Sequence, residues 1–134
     1  MNEINVGDIV QAKYNSGEYV GEVIEERGNF TLVQVLAILK HPTQGDLHNP
    51  GAVDGVAFHE RKALAHREKM NARKRTIRLY DGEVPPYIAS LKTAVEQLKS
   101  VLQTEDSSYN QKALEKLASL EKDFYHKIYE REHT

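Results

Sequence analysis

The chain has 134 residues and a mass of 15.3 kDa, enough for one compact domain with its own core. It has no cysteine, which excludes disulfides, thiolate metal sites, cysteine nucleophiles and cysteine-linked lipid, and its 18 Lys and Arg against 20 Asp and Glu leave a net charge of −2 that by itself favours neither nucleic acid nor anionic membrane. No run approaches the ~20 apolar residues of a membrane span, and MNEINVGDIV lacks the basic-then-apolar pattern of a secretory signal, so the expectation is a cytoplasmic protein with no direct membrane insertion.

The first half has the grammar of strands. Val6 to Tyr14 is rich in β-formers and ends at the turn cluster Asn15-Ser16-Gly17. Glu18 to Glu25 forms the next strand, closed by Arg27-Gly28-Asn29. Phe30 to Lys40 is the longest apolar run, with Val33, Val35, Ala37 and Leu39 on one face and Phe30, Leu32, Leu36 and Ile38 on the other. A strand apolar on both faces must be covered on both, so a tightly curved small barrel with the C-terminal helices packed outside it is expected.

From His41 to Val56 the pattern breaks into HPTQGDLHNPGAVDGV, a Pro- and Gly-rich loop of the length that often carries function. Residues 59–78 hold eight basic and two acidic side chains, net +6, between flanks of net −5 and net −3. Such a block suits docking to an acidic partner, or merely neutralises its surroundings. One or two short strands are expected within it, closing a barrel.

Past Asp81-Gly82, the period changes from 2 to 3.6. Pro85-Pro86 opens a helix whose stripe is Ile88, Leu91, Val95, Leu98 and Leu102. Thr104 to Ser108 breaks it, and Ser108 with Gln111 fits a capping box. A second stripe follows at Ala113, Leu114, Leu117, Leu120, Phe124 and Ile128, widened by Tyr125 and Tyr129, which read as core. Two such helices on a short loop make an antiparallel hairpin. The expected fold is therefore α+β: residues 1–80 as a small β-barrel carrying the 41–56 loop and the 59–78 segment, and residues 81–134 as a helical hairpin packed on it.

The chemistry-bearing residues are few. His41, His48, His59 and His66, with Asp46 and Glu60, are the candidates for metal or acid–base work, but their spacing matches no standard signature. No nucleophile elbow or phosphate-cradling glycine loop is present. No catalytic residue, cofactor or metal is therefore expected. GDIVQAKYNSGEYVGEV resembles the opening of SH3-type barrels, including Tudor and KOW modules, in which aromatics such as Tyr14, Tyr19 and Phe30 can cage a methylated cation or simply pack the barrel.

That opening, followed in order by HPTQGDLHNP, FHERKALAHRE and YDGEVPPYIASLK, resembles the kinase-associated protein B family of Bacillus over residues 4 to 130. The resemblance implies an SH3-type barrel with a helical C-terminal part. It also implies a non-enzymatic sporulation accessory protein that supports the sensor histidine kinase KinB in feeding a phosphorelay. The family is often called a lipoprotein, a name that a chain without cysteine does not fit. Recruitment to the inner membrane face would then come through a partner, the kinase or an associated membrane component. The docking surface expected on this reading combines the loop residues His41, Gln44, Asp46 and His48 with Phe58, His59, Arg61, Lys62, Arg67, Lys69, Arg73, Lys74 and Arg75. The competing readings are a nucleic-acid-binding KOW-like module, which the net negative charge disfavours, and a small metal-dependent enzyme built on the histidine loop.

Overall fold

A computed structural model describes residues 3–131, so the outermost residues of the two expected units, 1–2 and 132–134, lie outside it. Five antiparallel strands form one sheet: β1 Ile9–Tyr14, β2 Gly17–Arg27, β3 Phe30–Lys40, β4 Lys69–Arg73 and β5 Arg78–Leu79, in the spatial order β4-β3-β2-β1-β5. β1 and β2 are joined by the two-residue turn Asn15-Ser16, both with positive φ (45° and 71°), which matches the twist of the flanking strands. A 3-10 turn, Lys74–Thr76, separates β4 from β5. The expected strands thus appear in the second half of the basic segment, whereas residues 59–68 contain none. Closure into a barrel does not occur: β4 and β5 occupy opposite edges of the sheet and are not paired with each other.

β2 and β3 slip register at three places, between Glu18 and Tyr19, between Val20 and Gly21, and between Val23 and Glu25. Such irregularities bend the strands and increase their twist. At the second slip, β3 passes so close to β2 that a Cβ on Gly21 would collide with the Gln34 carbonyl oxygen and the Val33 side chain. The bend wraps one face of β3 around the interior and offers the other to the helices.

Helix α1, Tyr87–Leu102, lies on β3, as the doubly apolar strand requires. Its Ser90 hydroxyl accepts a hydrogen bond from the Ile38 N–H (3.0 Å) at the disturbed register and donates to the Tyr87 carbonyl (2.7 Å). The helix thus satisfies a backbone donor in the bent strand. Helix α2, Ser108–Leu120, is capped by Ser107, whose hydroxyl accepts from the Asn110 N–H (3.0 Å), one residue earlier than the expected Ser108 cap. It runs through a π-helical turn, Glu121–Tyr125, into α3, His126–Glu130. Late α1 meets the start of the π-turn at Lys99–Glu121, and early α1 meets α3 at Lys92–Tyr129, so the returning helix runs antiparallel to α1. One hydrophobic cluster joins sheet and helices, from Val10, Val33 and Val35 to Leu91, Leu117, Leu120 and Tyr125.

Gly21→Ala tests the close crossing of β2 and β3. The added methyl meets the Gln34 backbone as well as the buried Val33 side chain, and overpacking of this kind costs about 1–3 kcal/mol. Chemical denaturation is expected to show a lower midpoint with an unchanged slope.

Candidate docking loop and basic surface

The connection from His41 to Glu68 contains no helix or strand, so its backbone groups need partners from elsewhere. Four tyrosine hydroxyls provide them. Tyr109 on α2 donates to the Gln44 carbonyl (2.8 Å), and Tyr87 on α1 donates to the Leu64 carbonyl (2.7 Å). Tyr19 on β2 accepts from the Leu64 N–H (3.3 Å), and Tyr125 from the π-turn accepts from the Ala63 N–H (2.9 Å). Burial pushes the Tyr19 hydroxyl up to about 12 and raises the other three, so all four hydroxyls stay protonated.

His41 lies inside this network at 1% exposure. Its Nδ1 is 2.9 Å from the Pro42 carbonyl oxygen, which can only accept, so Nδ1 carries the proton. Nε2 then accepts from the Tyr125 hydroxyl (2.8 Å). Burial holds the imidazole below its ordinary range, with the Pro42 carbonyl and Glu121 pulling the other way. Gln44, at 2% exposure, is equally enclosed. Its amide donates to the Arg61 carbonyl (2.9 Å) and the Pro42 carbonyl (3.1 Å), and its oxygen accepts from the Arg61 N–H (2.8 Å). The Arg61 guanidinium turns inward to the Thr43 and Gly45 carbonyls. His41, Gln44 and Arg61 therefore leave the expected docking set, because their polar atoms are committed to holding the chain.

These bonds, with Gly45 N–H to the His59 carbonyl (2.9 Å), staple residues 44–45 to 59–61 and project 46–58 as a loop with a fixed base. Gly45 has φ +102°, and a Cβ there would crowd Phe58 and Tyr109 at 3.0–3.3 Å. The apex is braced from within. The Asp46 carboxylate accepts from the His48 N–H (2.9 Å) and the Asn49 side chain (3.0 Å), and these bonds lower its pKa. Leu47, His48, Asn49 and Pro50 face solvent, Leu47 at 39% exposure. Phe58 is half-buried against Tyr109, with Lys112 Nζ 5.4 Å from its ring centroid. His59 is exposed beside the staple, and Lys62 extends over the Phe124 ring (4.4 Å). Among the described residues no three His, Asp or Glu side chains gather to hold a metal ion.

The remaining basic residues lie elsewhere. Arg67 occupies a turn at φ +72°, and Lys69 opens β4 opposite Gln34. Arg73 pairs with Phe30 at the far end of β3 and stands over its ring (5.7 Å); Lys74 pairs with Glu26 (2.7 Å); Arg75 is exposed. The loop leaves β3 at Lys40, whereas Arg73–Arg75 sit at its Phe30 end, roughly 30 Å along an extended strand of this length. The single surface expected from their closeness in sequence is thus two surfaces. Tyr14, Tyr19 and Phe30 do not form a cage: Tyr19 is core and the Phe30 ring carries Arg73.

Comparison with known proteins gives the family. The family model for kinase associated protein B matches residues 14–125. The chain is 41% identical over 127 residues to the Bacillus subtilis (strain 168) protein named kinase-associated lipoprotein B, covering 95% of this chain and 99% of that protein. The crystal structure of kinase-associated protein B from Bacillus cereus superposes with a TM-score of 0.80 at 39% identity, over 91% of this chain and 98% of that one. The chain belongs to the kinase-associated protein B family, whose relatives are named for association with a kinase and not for a catalytic activity. No helix of the described residues is long and apolar enough to cross a membrane, and these 134 residues contain no cysteine sulfur to which a lipid could be attached.

Two expectations test the buried network. Tyr125→Phe leaves both His41 Nε2 and the Ala63 N–H without a partner and is expected to cost about 1–3 kcal/mol in a denaturation experiment. The second concerns pH. Because the folded state disfavours protonated His41, the unfolded chain binds a proton below about pH 6.5 that the folded chain does not. This group's contribution therefore destabilises the fold progressively as pH falls below that value, by at most ~1.4 kcal/mol per pH unit. Melting curves from pH 7.5 to 5 should show a shallower decline for His41→Gln than for the wild type, whatever the variant's starting stability.

Proposed function

From this family membership, we propose that the chain is a non-enzymatic accessory protein that supports a sensor histidine kinase, KinB in the sporulation phosphorelay, by docking through its 46–58 loop. The observation that carries the reading is the construction of that loop. Its base is fixed by Gln44, Arg61 and Tyr109, its apex is held by Asp46, and the residues so displayed are exposed. A loop ordered before contact loses little entropy on binding, and exposed loops on rigid supports are where recognition concentrates. The contact face comprises Asp46, Leu47 and His48 at the apex, with Phe58, His59 and Lys62 flanking the base. The partner is the kinase or a membrane component beside it, and the chain acts at the cytoplasmic membrane face through that partner. The sheet supports an SH3-type reading in strand order, with a 3-10 turn before the last strand and β5 returning to β1, as a barrel left open along one seam.

Replacing Leu47-His48-Asn49-Pro50 by Gly-Ser-Gly-Ser tests the proposal. These exposed positions are expected to change stability by ~0.5 kcal/mol or less. Co-precipitation with the kinase, and sporulation in cells that depend on it, should both be lost. A folded variant that retains both overturns docking through the loop.

A further inference from the structure

Where the C-terminal half of β1 meets the 3-10 turn and β5, Lys13, Arg75 and Arg78 converge with Thr76 on one open cleft of about 470 Å³. The backbone dictates this convergence. β1 pairs with β5 so that Arg78 lies opposite Gln11, and the two-residue period places Lys13 on the same face as Gln11. The 3-10 turn then brings Arg75 over the same face. Buried Ile77 anchors the turn, as do the Lys74 N–H on the Asn29 carbonyl (3.0 Å) and the Thr76 hydroxyl on the Arg73 carbonyl (2.9 Å).

Several cations elsewhere in this acidic chain have found partners. Arg27 and Lys74 pair with Glu25 and Glu26, Lys99 pairs with Glu121, and Arg61 is held by backbone carbonyls. Among the described residues no ion pair holds Lys13, Arg75 or Arg78, and no carboxylate lines their cleft. Glu18 stands opposite Lys13 in the β1–β2 register, so the uncompensated like charges are chiefly Arg75 and Arg78, and their approach disfavours the fold that holds them. A bound oxyanion removes that cost, and the two guanidiniums offer paired N–H donors suited to phosphate oxygens. The Thr76 hydroxyl hydrogen is already committed to Arg73, so the donors to such a ligand are the three cations.

We propose that this cleft binds a small soluble ligand carrying two or more adjacent phosphate groups. One phosphate group has oxygens enough for all three cations, but the open cleft of about 470 Å³ between them leaves room for a second, which brings further charge and acceptor oxygens to the same side chains. The cleft shares no lining residue with the docking loop.

Isothermal titration of the full chain with pyrophosphate provides the test. The wild type should show saturable one-site binding that weakens as salt is raised. Arg75→Gln with Arg78→Gln should weaken it by about tenfold or more. The pair Arg67→Gln with Lys69→Gln removes the same charge from exposed positions elsewhere and should leave binding unchanged. Melting curves confirm that each variant is folded, and Lys13→Gln, on a different element, gives a second reading of the site should either Arg variant unfold. Absence of saturable binding at millimolar pyrophosphate overturns the proposal, as does equal loss in both paired variants. Binding to phosphatidylglycerol vesicles or to a single-stranded oligonucleotide through Arg75 and Arg78, without binding to pyrophosphate, likewise overturns it and assigns the patch to a membrane or a nucleic acid.

Discussion

The architecture depends on hydrogen-bonding the backbone of the connection between β3 and β4. A peptide segment that passes over a hydrophobic core without helix or strand leaves polar groups that cost about 1–3 kcal/mol each when buried without partners. Here the partners are hydroxyls at the tips of large apolar side chains. A tyrosine can fill a core position with its ring and still deliver a donor and an acceptor to the rim. The four tyrosines come from β2, α1, α2 and the π-turn, so the connection is held by every layer of the fold at once. This role occupies four of the chain's seven tyrosines.

The distortions in the regular elements serve the same end. The π-turn at Glu121–Tyr125 offsets the helix so that Tyr125 points inward to His41 and Ala63. The register slips between β2 and β3 bend the sheet, and Ser90 meets the Ile38 N–H at the bend. The positive φ of Gly45 turns the chain tightly enough for Phe58 and Tyr109 to pack over it. The π-turn, the bend at Ile38 and the turn at Gly45 are each matched by a specific contact with the loop or its supports.

Patterns that depend on one residue and its near neighbours were legible in the sequence. The bounds of β3, the helix start after Pro85-Pro86, the turns at Asn15-Ser16 and Gly28-Asn29 and the two helical stripes all follow from periodicity and turn chemistry. Partnerships formed across the fold were not. His41 and Gln44 look like exposed loop residues because their neighbours are Pro, Gly and polar, and only the helices packed over them place them inside. Arg73–Arg75 follow the loop closely in sequence, but β4 carries the chain antiparallel along β3 to its other end. The π-turn leaves no mark on a 3.6-residue stripe that continues through it. The inward Tyr125 carried one available signal: a tyrosine on an apolar stripe needs a hydrogen-bond partner, and a long loop without secondary structure needs donors and acceptors.

The separation in sequence between His41 and Tyr125, 84 positions, limits how the loop can mature during synthesis. A ribosome delivers residues from the N-terminus onward, so β1, β2 and β3 are available to pair long before the π-turn exists. The Ala63 amide and the His41 ring acquire their partner only when the final helix has emerged and folded back. Until then the interior polar groups around the loop base are open to water, and the braced display of residues 46–58 is incomplete. A nascent chain that stops short of Tyr125 would therefore carry the sheet but not a finished loop, and closing the π-turn over His41 is the step that completes the brace.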